Sequence, residues 1–237
     1  MYDIVFISYN ELNAEENYAR LSSRFSSPIL KRITGVAGIH NAHIAAAKKA
    51  MTKMFWVVDG DAEVLDSFSF DYQVPNNELD YVHVWRSQNP VNGLVYGNGG
   101  VKLLPKKLTM HMDISRIDMT TSISTLFKPM PEIANITAFN TDAYSTWRSA
   151  FRECTKLASS SIERQNNAET QQRLDTWCTL NDTVPYGFYA YSGALAGRAY
   201  GEKNASNEEA LCKINDFTWL EAQWLAEKSQ LSPEHKQ

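Results

Sequence analysis

Asp59-Gly60-Asp61 follows without a break on the apolar run Met54-Phe55-Trp56-Val57-Val58. Two carboxylates one residue apart, at the mouth of a buried strand, offer the oxygen ligands that a hard divalent cation takes when phosphates and water complete its shell. Gly60 leaves the backbone between them open to close approach by a ligand. Asp-Gly is also ordinary turn chemistry, so a plain turn is the competing reading. A calcium loop of the EF-hand type starting at Asp59 needs glycine at its sixth position and glutamate at its twelfth; those places hold Val64 and Phe70. No P-loop is present, and no G-x-G-x-x-G follows the first apolar run.

A second set of reactive groups falls on one predicted helix, Asn140 to Leu157. Arg148, Arg152 and Lys156 recur every four positions and form a basic stripe, with Glu153 beside it. One reading is a solvated face with a Glu153–Lys156 pair. The other makes Glu153 a general base, with Arg148 and Arg152 on phosphate oxygens. Asp113 and Asp118 are rivals for the base. His40 and His43, one helical turn apart, fit either a metal pair or one polar contact and one packed histidine. Lys48, Lys49 and Lys53 read as a solvated helix face.

The elements that must position these groups can be read from apolar spacing. Tyr2 to Tyr9 is a buried strand ending in the polar tip Ser8-Tyr9-Asn10-Glu11, and a helix spans Asn13 to Phe25. A second extended segment covers Ile29 to Val36. Gly38 precedes an alanine-rich helix from about Ile39 to Lys53, and Met54 to Val58 is the next strand. Strand, helix, strand, helix, strand is the order of a parallel sheet with crossover helices, in which ligands bind beyond the carboxyl ends of the strands. Farther on, strands are predicted over Tyr81 to Arg86, Val101 to Pro105 and Met110 to Ile117, with a glycine-rich loop from Gly93 to Gly100. Thr141 or Asp142 caps the helix that ends at Leu157, Ser159 to Thr170 reads as loop or helix end, and Tyr186 to Tyr200 mixes aromatics with glycines. Asn215 or Asp216 caps a last helix with Phe217, Leu220 and Trp224 inward.

Composition bounds the function. With 43% hydrophobic and 21% charged residues among 237, the chain has the makings of a core and is not a disordered one. Its longest apolar runs fall well short of the roughly 18 residues of a bilayer span. The opening residues read as a strand rather than a leader peptide. Cys154, Cys178 and Cys212 are odd in number and far apart, which argues against a disulfide framework and for a reducing compartment. A net charge of -4 is unlike a chain that lives by nonspecific attraction to nucleic acid, although a local basic face stays possible.

Taken in order, these motifs resemble a GT-A glycosyltransferase: the tip Ser8-Tyr9-Asn10-Glu11, the helix entry Gly38-Ile39-His40-Asn41-Ala42-His43, and Phe55-Trp56-Val57-Val58-Asp59-Gly60-Asp61. More narrowly, the chain resembles tailed-phage glycosyltransferases that decorate hydroxymethylated cytosine in phage DNA. That likeness extends over Tyr96-Gly97-Asn98-Gly99-Gly100-Val101-Lys102, Trp147-Arg148-Ser149-Ala150-Phe151-Arg152-Glu153 and Ile214-Asn215-Asp216-Phe217-Thr218-Trp219.

The resemblance implies an α/β fold of the GT-A kind, a Rossmann-like nucleotide-binding sheet with crossover helices. It implies a single domain over 1–237, with a donor-binding half to about 105, an acceptor-side half over about 106–231 and a tail at 232–237. Ser8, Tyr9 and Glu11 would border the base and ribose, and His40 and Asn41 the diphosphate at a helix N-terminus. Asp59, with Gly60 beside it, would hold ribose or metal, and Asp61 a Mn²⁺ or Mg²⁺ ion. Gly99, Gly100 and Lys102 would line the sugar and acceptor side. Glu153 would be the catalytic base, with Asp118 as its rival and Arg152 in support. Trp85 would stack on a base, while Lys102, Lys106 and Arg148 would meet the DNA backbone. The implied donor is a nucleotide sugar, UDP-linked. The implied acceptor is double-stranded DNA carrying hydroxymethylated cytosine, or a sugar already on it, in the cytoplasm of a phage-infected bacterium and without a membrane. A transferase acting on a glycan or small molecule, and a catalytically silent DNA-binding module, are the alternatives.

Overall fold

The computed structural model describes residues 1–97, 99–160 and 166–230; Asn98 of the glycine-rich motif, part of the polar stretch after Ser159, and the tail from 232 lie outside the described residues. The chain packs into two compact units, Met1–Thr141 and Asp142–Gln237.

The first unit is a mixed α/β structure. Its elements are β1 (Asp3–Ser8), α1 (Ala14–Arg24), β2 (Leu30–Thr34), α2 (Ile39–Lys49), β3 (Met54–Asp59), β4 (Ala62–Val64), β5 (Val82–Gln88), β6 (Val95–Tyr96), β7 (Val101–Pro105), α3 (Lys106–Met110), α4 (Met119–Ile123) and β8 (Phe127–Thr137). Among the described residues the strands join in one sheet, in the order β2-β1-β3-β7-β5-β8-β4, with β6 on β5. β1 runs parallel to both β2 and β3, β7 is antiparallel to β3 and β5, and β8 is parallel to β5.

Every residue of β1 is buried, as expected of a strand covered on both faces. Alternate side chains feed two cores. Ile4 and Phe6 pack with Ala14 and Leu21 of α1, together with Trp56 and Val58. Val5 and Ile7 pack with Ala42, Ala46, Ala47 and Ala50 beside α2, together with Phe55 and Val57. The two crossover helices thus cover opposite faces. The chain leaves β1 for β2 on one side and returns to β3 on the other, so strand order reverses at β1. Crevices in such sheets open at that reversal.

One expectation for this unit is corrected, and one strand is added. Met110 to Ile117 forms no strand: the Asp113 carboxylate accepts from the backbone N–H and hydroxyl of Ser115, making a turn, and Ile114 faces solvent. β8 had no counterpart in the sequence reading, because Pro129 and Pro131 suppress its strand signal. The sheet accommodates them with register shifts opposite Trp85, Arg86 and Ser87. The pairing of β8 with β5 and β4 keeps residues 127–137 with the first unit.

The second unit is helical in its described residues: α5 (Ala143–Ser159), α6 (Asn167–Trp177), α7 (Gly187–Lys203), α8 (Glu208–Cys212) and α9 (Phe217–Gln230). Asp142 caps α5 by accepting from the Ser145 N–H at 2.8 Å, and Asp216 caps α9 through Thr218 and Trp219. The expected loop character after Ser159 gives way to α6 from Asn167. The glycine-rich aromatic stretch is α7, where Gly193, Gly197 and Gly201 lie against the α5 backbone at Trp147, Phe151 and Thr155.

Candidate functional site

The carboxyl ends of β1 and β3 lie side by side, with Ile7 opposite Asp59. This parallel register brings the Ser8–Glu11 tip against the Asp59-Gly60-Asp61 turn. Three elements pin the turn. The Asp59 N–H donates to the Gly100 carbonyl at 3.0 Å, Asn17 Nδ2 on α1 donates to the Gly60 carbonyl at 2.9 Å, and the Ala138 N–H beyond β8 donates to the Asp61 carbonyl at 2.8 Å. Glu11 closes over it: its Oε2 accepts from the Tyr9 N–H at 2.8 Å and stands 2.7 Å from where a Cβ on Gly60 would be, with Ser8 Cβ 3.1 Å from the same point. Glycine is therefore required at 60 for the carboxylate to sit there. Ser8 itself is buried, with its hydroxyl between Thr34 and Arg32, whose guanidinium also holds Glu15.

Asp59 has a cation already. Both of its oxygens accept from Lys102 Nζ at 2.8 Å, and the same ammonium donates to the Gly99 carbonyl. The Lys102 side chain is 1% exposed and that of Asp59 30%. Lys102 is thus corrected from an acceptor-side contact to the buried counter-ion of Asp59. Gly99 reaches the lysine through a backbone at φ +85°, which favours glycine. Gly100 fits closely against Asn135, whose amide would stand 2.6 Å from an added Cβ.

These contacts test the expected divalent cation. An ion on Asp59 would stand beside an ammonium that burial leaves almost no water to screen. Among the described residues no group of three His, Cys, Asp or Glu could hold a metal. The donor set does not fit a metal site built on Asp59, and no step below is routed through one. His40 and His43 likewise make no metal pair. His40 Nε2 is 3.2 Å from the Ser122 hydroxyl, while His43 is buried with Nδ1 2.8 Å from the Ile39 carbonyl. Burial first, then the Lys102 charge, holds the His43 imidazole well below its usual range, so it stays neutral.

The structure gives structural work to several other expected site residues. Trp85 is core, its ring centroid 4.5 Å from Trp56, 5.9 Å from Phe68 and 5.6 Å from Tyr72, and it cannot stack on a base without unpacking them. Lys106 Nζ donates to the Ala50 carbonyl. Asp118 caps α4 through the Thr120 and Thr121 N–H groups at 3.0 Å. Asn41 is exposed and bonded to the Ala37 carbonyl, behind Gly38 at φ +85°. In the second unit Arg148 lies over the Tyr144 and Phe217 rings at 5.2 and 4.6 Å. Arg152 donates to the Ile214 carbonyl and the Asn215 side chain, tying down the approach to α9. Glu153 pairs with Lys156 at 3.2 Å.

Three residues of the site carry no motif that marks them in the sequence: Asn17 on α1, Arg32 on β2 and Asn135 on β8. Among the described residues no helix is long and apolar enough to cross a membrane.

A scan of protein-family models returns no match for this chain, and neither does a search of curated proteins. Among solved structures, that of HddC from Yersinia pseudotuberculosis matches at a TM-score of 0.31 and 16% identity, covering 55% of this chain and 90% of that one.

Proposed function

We propose that this chain is a glycosyltransferase of GT-A architecture that binds a nucleotide sugar at the carboxyl ends of β1 and β3. One observation carries the reading: the Asp59-Gly60-Asp61 turn is pinned by three elements at the reversal of strand order, with Glu11 closed on Gly60. A turn serving only as a connector needs neither the glycine-sized gap nor the second carboxylate above it. The parallel strands with α1 and α2 on opposite faces support a nucleotide site at this edge.

In this reading Ser8, Tyr9 and Glu11 take the base and ribose. Asp59, fixed by Lys102, faces the ribose. The opening of α2 after Gly38, with His40 and Asn41, receives the diphosphate, where the helix dipole favours anions. The acceptor hydroxyl attacks the anomeric carbon, the bond to the diphosphate breaks, and the hydroxyl proton passes to a carboxylate. Hydroxymethylcytosine in DNA is the proposed acceptor on the strength of the motif resemblance. Such a base must be flipped out or already exposed to react. With Trp85 and Lys102 engaged internally, its contacts must come from other groups, such as the exposed Lys107.

Calorimetry over a panel of nucleotide sugars, with Mn²⁺ and with EDTA, followed by transfer assays on hydroxymethylated DNA, unmodified DNA and free glycans, tests this. Saturable donor binding that Glu11→Ala weakens at least tenfold, and transfer to hydroxymethylated DNA, are expected. A folded protein that binds no nucleotide sugar sinks the reading. DNA binding without donor turnover would instead select the silent DNA-binding alternative.

A further inference from the structure

The first unit segregates its charges. From Asn17 to Val58 the chain carries seven Lys and Arg residues and no Asp or Glu, and from Tyr81 to Met112 four and none, although acids outnumber bases overall, 27 to 23. The antiparallel pairing of β3 with β7 joins these two stretches, with Met54 opposite Pro105 at the end of β3 far from Asp59. At that edge the Lys106 N–H donates to the Lys53 carbonyl at 2.9 Å, and α3 packs on α2. Lys48 and Lys49 at the end of α2, Lys53 in the turn after it, and Lys107 on α3 are all exposed. Asp3, the carboxylate beside them, is already held by Lys31 at 2.6 Å and by the Met51 N–H. Lys49 Nζ donates to the Arg32 carbonyl at 2.9 Å, whereas the ammonium groups of Lys48, Lys53 and Lys107 have no hydrogen bond or ion pair among the described residues. The α2 dipole accounts for cations at its carboxyl end, Lys48 and Lys49. It does not account for Lys53 beyond the helix, or for Lys107 in the opening of α3, where a helix favours anions.

We propose that this lysine edge binds the phosphate backbone of duplex nucleic acid, whatever its sequence. Point charges on flexible stems meet phosphates and release counterions, but they read no bases. A single strand would call for aromatic platforms, and segments 48–53 and 105–111 contain no Phe, Tyr or Trp. An anionic membrane would call for an apolar face among the lysines. Among the described residues of those segments, Met51, 80% exposed, is the one large apolar side chain turned to solvent. That the duplex is DNA rests on the acceptor proposed above; the backbone contact itself does not. The six residues of β3, about 20 Å of strand, separate this edge from Asp59. The edge therefore holds duplex away from the reacting base, and the contact of Lys107 with the acceptor is to its backbone rather than to that base.

The test is fluorescence anisotropy of the full chain with a labelled, unmodified DNA duplex and no nucleotide sugar, between about 50 and 200 mM salt. Saturable binding is expected, alike for unrelated sequences. The double variant Lys53→Gln/Lys107→Gln should weaken it about tenfold at the low-salt end and flatten the slope of log affinity against log salt by about 2, near one per lost phosphate contact. Lys203→Gln/Lys213→Gln, which removes the same charge from exposed lysines of the second unit, should change neither. Equal losses in both doubles, no duplex binding at low salt, tighter binding of the single strand, or a preference for phosphatidylserine vesicles over duplex would each overturn the proposal. Calorimetry with nucleotide sugars keeps the two readings apart. Duplex binding that depends on Lys53 and Lys107, without nucleotide-sugar binding, sinks the transferase reading and upholds this one. Nucleotide-sugar binding with a duplex affinity that the double variant leaves unchanged sinks this one alone.

Discussion

The Asp59–Lys102 pair predicts an asymmetric double-mutant cycle. Its two partners differ in access to water: the Lys102 side chain is 1% exposed and that of Asp59 30%. Asp59→Asn leaves a buried ammonium with no counter-charge, the more damaging way to break such a pair, at about 3–5 kcal/mol. Lys102→Met keeps volume and the apolar stem, and the carboxylate it abandons can take up water. Its cost is the lost tie to Gly99 and to Asp59, about 1–2 kcal/mol. Removing both charges leaves no buried ion, so the double variant should be more stable than Asp59→Asn alone, with a coupling of about 2 kcal/mol. Urea unfolding followed by hydrogen exchange of peptides from β3 and β7 reads the first unit by itself. With a slope near 3 kcal/mol per molar, Asp59→Asn should lower the midpoint by roughly 1 M or more. An Asp59→Asn protein as stable as wild type, or Lys102→Met the worse of the two, would refute the buried pair. The cycle also bears on function, since activity lost in Asp59→Asn would reflect folding as much as ligand binding. The double variant separates the two.

Three more outcomes follow from contacts described above. Gly60→Ala puts a methyl 2.7 Å from Glu11 Oε2, the movable end of a side chain; stability should change by less than about 1 kcal/mol, whereas donor affinity falls tenfold or more by calorimetry, and unchanged affinity would remove Glu11 from the site. Gly197→Ala sets its Cβ 2.2 Å from the Phe151 carbonyl oxygen, which cannot swing away, so the cost of overpacking, about 1–3 kcal/mol, should exceed the gain of about 1 kcal/mol from removing a helical glycine; a rise in melting temperature would contradict the close α5–α7 contact. Burial raises the Asp3 pKa, but the Lys31 ammonium and the Met51 N–H outweigh it and leave it below 3.8; its stabilisation is present above that value and lost as pH falls through the depressed one, so the deficit of Asp3→Asn in urea midpoint should be full at pH 7 and shrink below about pH 4. A deficit independent of pH would sink that assignment.

What could be read in advance follows from where each element gets its stability. β1 and β3 are buried on both faces, so their apolar runs and polar tips mark them whatever lies beside them. The meeting of Ser8–Glu11 with Asp59–Asp61 was legible for the same reason, because two parallel strands joined by crossovers must end at the same edge. β8 and α7 carry no such mark. β8 exists because β5 and β4 pair with it in spite of Pro129 and Pro131, and α7 because α5 packs on glycines that weaken an isolated helix.

The charged motifs show a sharper limit. Whether Asp59 of the D-x-D turn meets a ligand cation depends on a lysine 43 residues away that already holds its carboxylate. β7 pairs antiparallel to β3 with Lys102 opposite Val57, so the lysine lies on the same sheet face as Asp59, two residues along, within reach of its carboxylate. A shift of one residue in that register would turn Lys102 to the other face and leave Asp59 without it. The basic stripe on α5 behaves alike: Arg148 is taken up by two aromatic rings and Arg152 by a carbonyl and an amide. Spacing within one strand or helix locates a charge, but pairing between elements decides whether that charge can meet a ligand. For this chain the pairing moves attention from Asp59 to Glu11, the carboxylate held over Gly60 by a backbone N–H.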